Sequence, residues 1–449
     1  MKPEKLIYTF TSIATHYDVS WGRGTPTIGV DLTAEIAHRH GIPVTWIVNP
    51  GSIPVLGDRI RGWHEQYGDD VVLLCPLFGK DIMHSKDELR RTLQDHWRQL
   101  AEAFPWATTK VAARGGIYNE MIEVLEELGF EGMWGYCYDQ VWWDGITHKG
   151  VPWGSWYIDS SRYKVPHSGE GKLVAIEWTA RDLHQSFHSG SPCIFSTDPN
   201  DVLRAGLCTG DDIEYWKRLF DDYLLNTANN ETVFFQQQQE SHEMERTDAF
   251  AVWSAEDIEE SARMMDRFFA YVTGYPVTIT TLPNAVRLYK ERNVTMAPSY
   301  MLTRDAEVRP AVNAYTMTLG GVGLGPFPET FFYYDAQCQM AFVRGECKPR
   351  LLRNYVGQWN MHETFEEEIP PMFVTRYEKS DSRIELMFEF DYWKPIPFGL
   401  TYWDDLAGYE VASSEGLTEA KIIQDKLVFL RFNLTGEREK VVLTMERRT

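Results

Sequence analysis

A chain of 449 residues with 44 basic and 65 acidic side chains has a formal charge of −21 at neutral pH, which excludes the broadly basic surface that nucleic acid or an anionic membrane would require. Its 43% hydrophobic content is ample for a packed core and excludes general disorder. The length suits two or three ordinary domains, or one large barrel with an appended module.

In chain order, the first 290 or so residues alternate strand-like apolar runs with amphipathic helical runs, the rhythm of a parallel α/β architecture. Seven strands are predicted: Leu6 to Ile13, Val44 to Val48, Val71 to Leu74, Lys110 to Ala113, Gly132 to Cys137, Leu173 to Trp178 and Thr232 to Gln236. Between and after them, apolar spacing of i, i+3, i+4 predicts helices over Thr33 to His40, Ser85 to Ala103, Asn119 to Leu128, Asp211 to Leu225, Ala255 to Tyr271 and Pro283 to Arg292. Beyond about Thr295 the pattern becomes all-β, with alternating runs such as Val312 to Thr318, Arg383 to Phe390 and Lys426 to Asn433. The expectation is a barrel over residues 1–294 and a β-sandwich domain over 295–449. Gly320 to Glu329 is glycine-rich but lacks a strand-to-helix setting, so it reads as a loop and not a phosphate cradle.

The six cysteines, at 75, 137, 193, 208, 338 and 347, form no C-x-x-C pair and read as buried free thiols. With no signal-peptide pattern and no 18-residue apolar span, the chain reads as soluble and cytoplasmic, or as secreted if a leader was removed. The composition leaves a homo-oligomer open.

The segment Leu32 to Pro50, LTAEIAHRHGIPVTWIVNP, resembles the helix-to-strand passage of polysaccharide deacetylases and their glycoside-hydrolase relatives. Ser85 to Leu100 resembles the helix after that family's metal-binding loop, Ala113 to Asn119 its Arg-x-Pro-x-Gly-x-Tyr segment, and Met121 to Phe130 the helix and turn that follow. The resemblance covers roughly Lys5 to Gln239 and implies a seven-stranded (β/α) barrel of the glycoside hydrolase/deacetylase type. It also implies a metal-binding acid pair that this chain does not carry. Where the family has Thr-Phe-Asp-Asp-Gly, this sequence has Thr9-Phe10-Thr11-Ser12-Ile13, and neutral hydroxyls make neither a general base nor strong metal ligands. The family's His-x-x-x-His is replaced by Gly79 to His84, in which only Asp81 and His84 could ligate, and its late histidine by Gln236 to Gln239. The reading is therefore of an atypical member.

Working residues of a parallel barrel sit at strand C-termini. That rule selects Asp18 in the loop after the first strand, with His16 and Trp21 beside it, Arg114 after the fourth, Asp182 after the sixth, and Gln238, Glu240 and His242 at the end of the seventh. The fifth strand opens into five tryptophans within 23 residues. There Trp134, Tyr136, Trp142, Trp143 and Asp144 suit either a sugar-stacking platform or a lid that buries its own rings. Two carboxylates flanking a glycosidic bond suffice for hydrolysis without a metal. The expectation is a carbohydrate-active hydrolase acting on an oligo- or polysaccharide, most simply a glycosidase. Asp18, Glu240 and Asp182 are its catalytic candidates; Arg114, the aromatics, Gln238 and His242 bind substrate, and no cofactor is needed. Two alternatives stand beside it: a zinc-dependent deacetylase using Asp18, Asp81 and His84, and an inactive sugar-binding barrel.

Overall fold

A computed structural model describes residues 4–19, 22–76, 85–113, 119–138, 146–148, 154–160, 162–167, 170–180, 182, 198–228, 230–245 and 253–295, then 331–335, 340–344, 350–352, 372–391, 396–423, 425, 427–435 and 437–448. Two compact units emerge, Met1–His148 with Trp153–Gly323, and Lys149–Pro152 with Leu324–Thr449. The expected break at 294/295 borders residues 296–330, which lie outside the described set, as do Val312 to Thr318 and Gly320 to Glu329.

In the first unit seven parallel strands run β1 (Leu6–Ile13), β2 (Val44–Val48), β3 (Asp70–Leu74), β4 (Val111–Ala113), β5 (Gly132–Tyr138), β6 (Val174–Glu177) and β7 (Val233–Glu240). Their order in space is β6-β5-β4-β3-β2-β1-β7, and Trp156–Asp159 and then Arg162–Pro166 extend the sheet antiparallel beyond β6. Just past β6, the Ala180 N–H donates to the Gln236 carbonyl on β7 (2.6 Å), so the sheet curls back on itself. The α/β fold class and the predicted strands are thus present, six with ends shifted by a residue or so, while the seventh, expected over Thr232 to Gln236, runs on to Glu240 because its glutamines stay paired with β1.

Period-two alternation sets the layers. On β1, Ile7 and Ile13 face a buried interior that they share with Ile47, Val72, Val111, Trp134, Ile176 and Phe234. Phe10 points the other way and meets Phe269 of α7 (Ala255–Val272) edge-on at 5.0 Å. The floor is plugged by α8 (Leu282–Arg292), whose Leu282, Ala285, Val286 and Tyr289 join the interior cluster. Gly132 permits this, since a Cβ there would lie 2.7 Å from Val286 Cγ2.

The outer helices in chain order are α1 (Ile28–Arg39), α2 (Ile53–Tyr67), α3 (Lys86–Ala103), α4 (Asn119–Glu127), α5 (Pro199–Arg204) and α6 (Glu214–Leu225), followed by α7 and α8. Helix α3 starts where expected because the Ser85 hydroxyl caps Glu88 N (3.2 Å). Helix α1 begins earlier than predicted. Its first-turn donors are met from a distant element: Glu245 Oε2 accepts from Thr27 N (2.9 Å) and Gly29 N (2.8 Å). Helix α2 has no counterpart among the expected helices, and its Pro54, Gly57 and Gly62 are locally poor helix formers. Pro54 instead occupies the first turn, where its missing N–H costs nothing, and Leu56 and Ile60 bury the helix against the barrel. No described helix is long and apolar enough to cross a membrane.

In the second unit, two five-stranded sheets are built from short alternating runs. One joins Phe331–Asp335, Met340–Arg344, Ile396–Trp403, Leu427–Leu434 and Glu419–Ile423; the other joins Arg350–Leu352, Met372–Lys379, Arg383–Asp391, Arg438–Arg447 and Tyr409–Glu415. Ile384, Leu386 and Phe388 of one sheet and Val428, Phe429 and Leu430 of the other are buried. Tyr377 and Tyr402 bridge the sheets through their hydroxyls (3.3 Å), as an all-β sandwich requires.

Candidate active site

The polar run Gln236 to Gln239 is a structural zipper between β7 and β1, all four side chains being buried. Gln236 faces inward, where the Thr9 hydroxyl donates to its Oε1 and its Nε2 donates to Thr11 Oγ1 (2.8 Å). Gln237 faces outward and accepts from the Tyr8 hydroxyl. Ser12 donates to the Gln239 carbonyl (2.9 Å) and lies 2.7 Å from Ser241 Oγ. Thr11 and Ser12, at the positions of the acid pair implied by the resemblance, are thus closed hydroxyls turned toward β7. A divalent metal does not fit them, and among the described residues no three His, Cys, Asp or Glu side chains are grouped to hold one. Asp81 and His84 lie outside the described residues.

Glu240 is the last residue of β7 and stands in register with Ile13. Phe234 and Ile13 face the interior, so the same alternation turns Gln238 and Glu240 toward the mouth. There a group of carboxylates gathers. Asp198 precedes α5, caps it through Asn200 N (3.2 Å) and Asp201 N (3.5 Å), and accepts a hydrogen bond from Gln238 Nε2. Asn200 Nδ2 donates to Glu243 Oε2 (3.1 Å) on the turn after β7. Burial first, then the charges of Asp201 and Glu240, push the Asp198 carboxyl well above the usual carboxylate range. Glu243 is pushed up likewise, by burial and by the charges of Asp198, Glu240 and Asp201, against a smaller opposing pull from Arg204. A proton held among closely spaced acids is the arrangement from which general acids are made.

Sequence reasoning missed Asp198 and Glu243. Asp198 had a local signal, an Asp before Pro199 at a helix start, but that signal speaks of capping and not of chemistry.

A second constellation lies beside β1. Asn49 grips the backbone of His16 in both directions, His16 N to Oδ1 (3.0 Å) and Nδ2 to the His16 carbonyl (2.9 Å), and His16 Nδ1 is 3.0 Å from Thr25 Oγ1. The Tyr17 and His242 rings have centroids 5.0 Å apart. Burial lowers His242 to about 4, with a hydrogen bond to the Gly24 backbone pulling the other way and the charge of His16 adding to the fall. His242 is therefore a buried, neutral imidazole at physiological pH, packed on the Tyr17 ring.

Other expected site residues also land differently. Asp182 was expected at the mouth; instead its buried carboxylate pairs with Arg218 of α6, which also holds Asp222 (3.1 Å). An acid locked to a guanidinium in the helical layer has a structural task and leaves the catalytic set. Trp134 is fully buried in the barrel, donating Nε1–H to the Trp178 carbonyl (3.1 Å) and meeting that ring edge-on. Tyr136 is buried against Trp156 at 5.0 Å. Both belong to the core and not to a stacking platform. Asp18 lies on the short hairpin Tyr17–Val19/Gly22–Gly24, in register with Arg23. Its side chain, with Trp21, Arg114, Trp142, Trp143 and Asp144, falls outside the described residues.

A curled parallel α/β barrel with buried carboxylates at the mouth is the class of protein that fold and site define. No protein-family model and no curated sequence matches the chain. Among solved structures it is similar to a protein described as a glycoside hydrolase/deacetylase from Parabacteroides distasonis, with TM-score 0.47 and 11% identity over 64% of this chain and 72% of that one. It is also similar to a protein described as a polysaccharide deacetylase from Mycobacterium smegmatis (TM-score 0.41, 13% identity, 68% and 96% covered). A 4-alpha-glucanotransferase from Thermococcus litoralis is similar over 99% of this chain and 100% of its own, at TM-score 0.38 and 8% identity. With TM-scores below 0.5, these likenesses carry nothing about activity.

Proposed function

We propose that the chain is a carbohydrate-active hydrolase that cleaves a glycosidic bond with carboxylates at the end of β7. Glu240 acts as the ionised base or nucleophile, and Glu243, on the turn that follows, as the proton donor. The observation that carries this reading is the gathering of Glu240, Glu243 and Asp198 at the end of β7, where Asn200 Nδ2 holds Glu243 Oε2 (3.1 Å) and Gln238 holds Asp198, with burial and the neighbouring carboxylates raising Glu243. Two neighbouring acids held in opposite protonation states are what glycoside cleavage needs, one to protonate the leaving oxygen and one to attack the anomeric carbon or activate water. The half-buried exposure of both residues suits contact with a bound sugar.

Glu240→Gln and Glu243→Gln should each lower kcat/KM on a responsive oligosaccharide by roughly 10²–10⁴ while leaving affinity within a few-fold. Unchanged turnover in both variants rejects the assignment. Stoichiometric zinc in the purified protein, with activity abolished by a chelator, would replace it with metal-dependent deacetylation. Sugar binding without turnover in the unmodified chain would instead leave a binding protein.

A further inference from the structure

Helices α1 and α2 leave a groove of about 410 Å³ between them on the outer wall of the barrel. Helix α1 lines it with Asp31, Glu35, His38 and Arg39, whose spacing of three and four puts them on one face. Helix α2 answers with Trp63, Gln66 and Tyr67 at the same spacing. The aromatic part is fixed from beneath. Asp69, fully buried just before β3, accepts from Val44 N (3.0 Å) and Trp46 Nε1 (2.7 Å) and lies 2.8 Å from His38 Nε2. The His38 ring, held in this way, stacks on Tyr67 with centroids 3.9 Å apart and planes at 9°, and Trp63 stacks on Trp46 at 5.2 Å. Tyr67 is nonetheless 37% exposed. The groove thus presents flat apolar surface that is already ordered, so a ligand laid on it gives up little of its contact energy to freezing side chains.

Charges on the rim are balanced before any ligand arrives. Arg59 Nε is 3.4 Å from Asp31 Oδ1, and Arg39 reaches Glu35 Oε1 (2.8 Å) and Asp266 Oδ1 (2.9 Å). A cation would have to displace a guanidinium from a carboxylate, and an anion would face Asp31 and Glu35. A wholly apolar ligand would strip water from these ions without replacing its hydrogen bonds. A hydroxyl does neither. It donates to a lone pair that the guanidinium leaves open on the carboxylate, and it accepts from Arg39 or from the exposed Gln66 amide. Hydroxyls set around a ring whose C–H faces are apolar match both parts of the groove.

We propose that the groove between α1 and α2 binds a neutral pyranose of a saccharide chain, as a site separate from the carboxylates at the end of β7. Tyr67 and Trp63 carry the C–H faces of the sugar, and Glu35, Arg39 and Gln66 take its hydroxyls. The groove's volume falls at the low end of the roughly 300–1,000 Å³ typical of small-ligand sites, which suits a short stretch of sugar rings lying across the wall. This ligand class follows from the groove alone and does not depend on the hydrolase reading above.

The test is affinity electrophoresis of the full chain in native gels containing graded amounts of soluble starch, a mixed-linkage β-glucan or a neutral xylan, with polygalacturonate as the acidic comparison. Retardation by at least one of the neutral polysaccharides is expected. Tyr67→Ala should raise the dissociation constant read from it roughly tenfold, and Tyr67→Phe, which keeps the ring, should leave it within about twofold. Glu35→Ala, at an exposed helical position, should weaken binding about threefold and serves as the probe of the groove if Tyr67→Ala does not fold. No retardation of the wild type by any neutral polysaccharide, stronger retardation by polygalacturonate, or retardation unchanged in the folded variants overturns the proposal. Turnover separates the two readings. Retardation that Tyr67→Ala removes, without cleavage of any of these polysaccharides, rejects the hydrolase and leaves the groove standing. Cleavage with retardation untouched by Tyr67→Ala does the reverse.

Discussion

Asp70 opens β3 on the barrel floor, at the opposite end from the mouth, and its replacement by Asn isolates one electrostatic cost. Burial lifts its carboxyl from the ordinary 3.8 to about 6; the Val71 N–H (2.9 Å), the Thr281 hydroxyl (3.2 Å) and the charge of His64 oppose the rise, and Asp69 adds to it. The folded chain therefore holds a proton that the unfolded chain releases between those two values. Stability contributed by this site is present at low pH and is lost as pH rises through about 6. At about 1.4 kcal/mol per pH unit, ionised Asp70 costs roughly 3 kcal/mol at neutrality. Asn keeps an acceptor for Val71 N and a donor for the Thr281 hydroxyl without the charge. Asp70→Asn should thus match the wild type near pH 4 and exceed it by about 1–3 kcal/mol at pH 7.5. Urea unfolding followed by tryptophan fluorescence at pH 4, 5, 6, 7 and 7.5 measures this. With a slope of about 3 kcal/mol per molar urea, the midpoint should move by several tenths of a molar up to about 1 M at the high-pH end. A stability difference constant with pH, or a variant less stable than wild type at pH 7.5, refutes the reasoning. Catalysis should be unaffected, since the mouth is built by other strand ends.

His242 has the opposite slope. Its folded value of about 4 lies below the ordinary 6.5, so its contribution is complete above 6.5 and declines as pH falls toward 4. His242→Gln should remove up to roughly 3 kcal/mol of acid sensitivity in that interval, and identical wild-type and variant slopes would count against a buried neutral imidazole. Gly29→Ala tests the seating of α1 on the turn after β7. Its Cβ would overlap the Ser241 carbonyl oxygen, so the variant should lose about 2 kcal/mol or more, and an unchanged melting temperature would show that α1 sits elsewhere.

Much of the architecture was legible because its signals are local. Alternation over Leu6–Ile13 and Val233–Glu240, and the amphipathic stripe of Lys86–Ala103 with Ser85 before it, report which face is buried wherever the partner lies. Helix Ile53–Tyr67 was not legible, since glycine and proline argue locally against a helix that tertiary burial of Leu56 and Ile60 sustains. The site was legible only in part. Glu240 follows from its place at the end of a strand, but Asp182 obeys the same positional rule and is claimed by Arg218, 36 positions further on. Trp134 and Tyr136 look alike as core or as platform until the barrel closes around them.

What the sequence by itself determined is the set of parallel strands and their helices, an acidic surface unsuited to nucleic acid, and a polar tract at the end of an apolar strand, all properties of neighbouring residues. Tertiary structure alone decided that Gln238 meets Asp198 across 40 positions, that Asn200 ties in Glu243, and that Thr11 and Ser12 are bound to β7. Chain periodicity specifies which way a side chain points. A carboxyl's proton affinity depends on the burial and charges around it in space, which exist only once distant strand ends have been brought to one mouth.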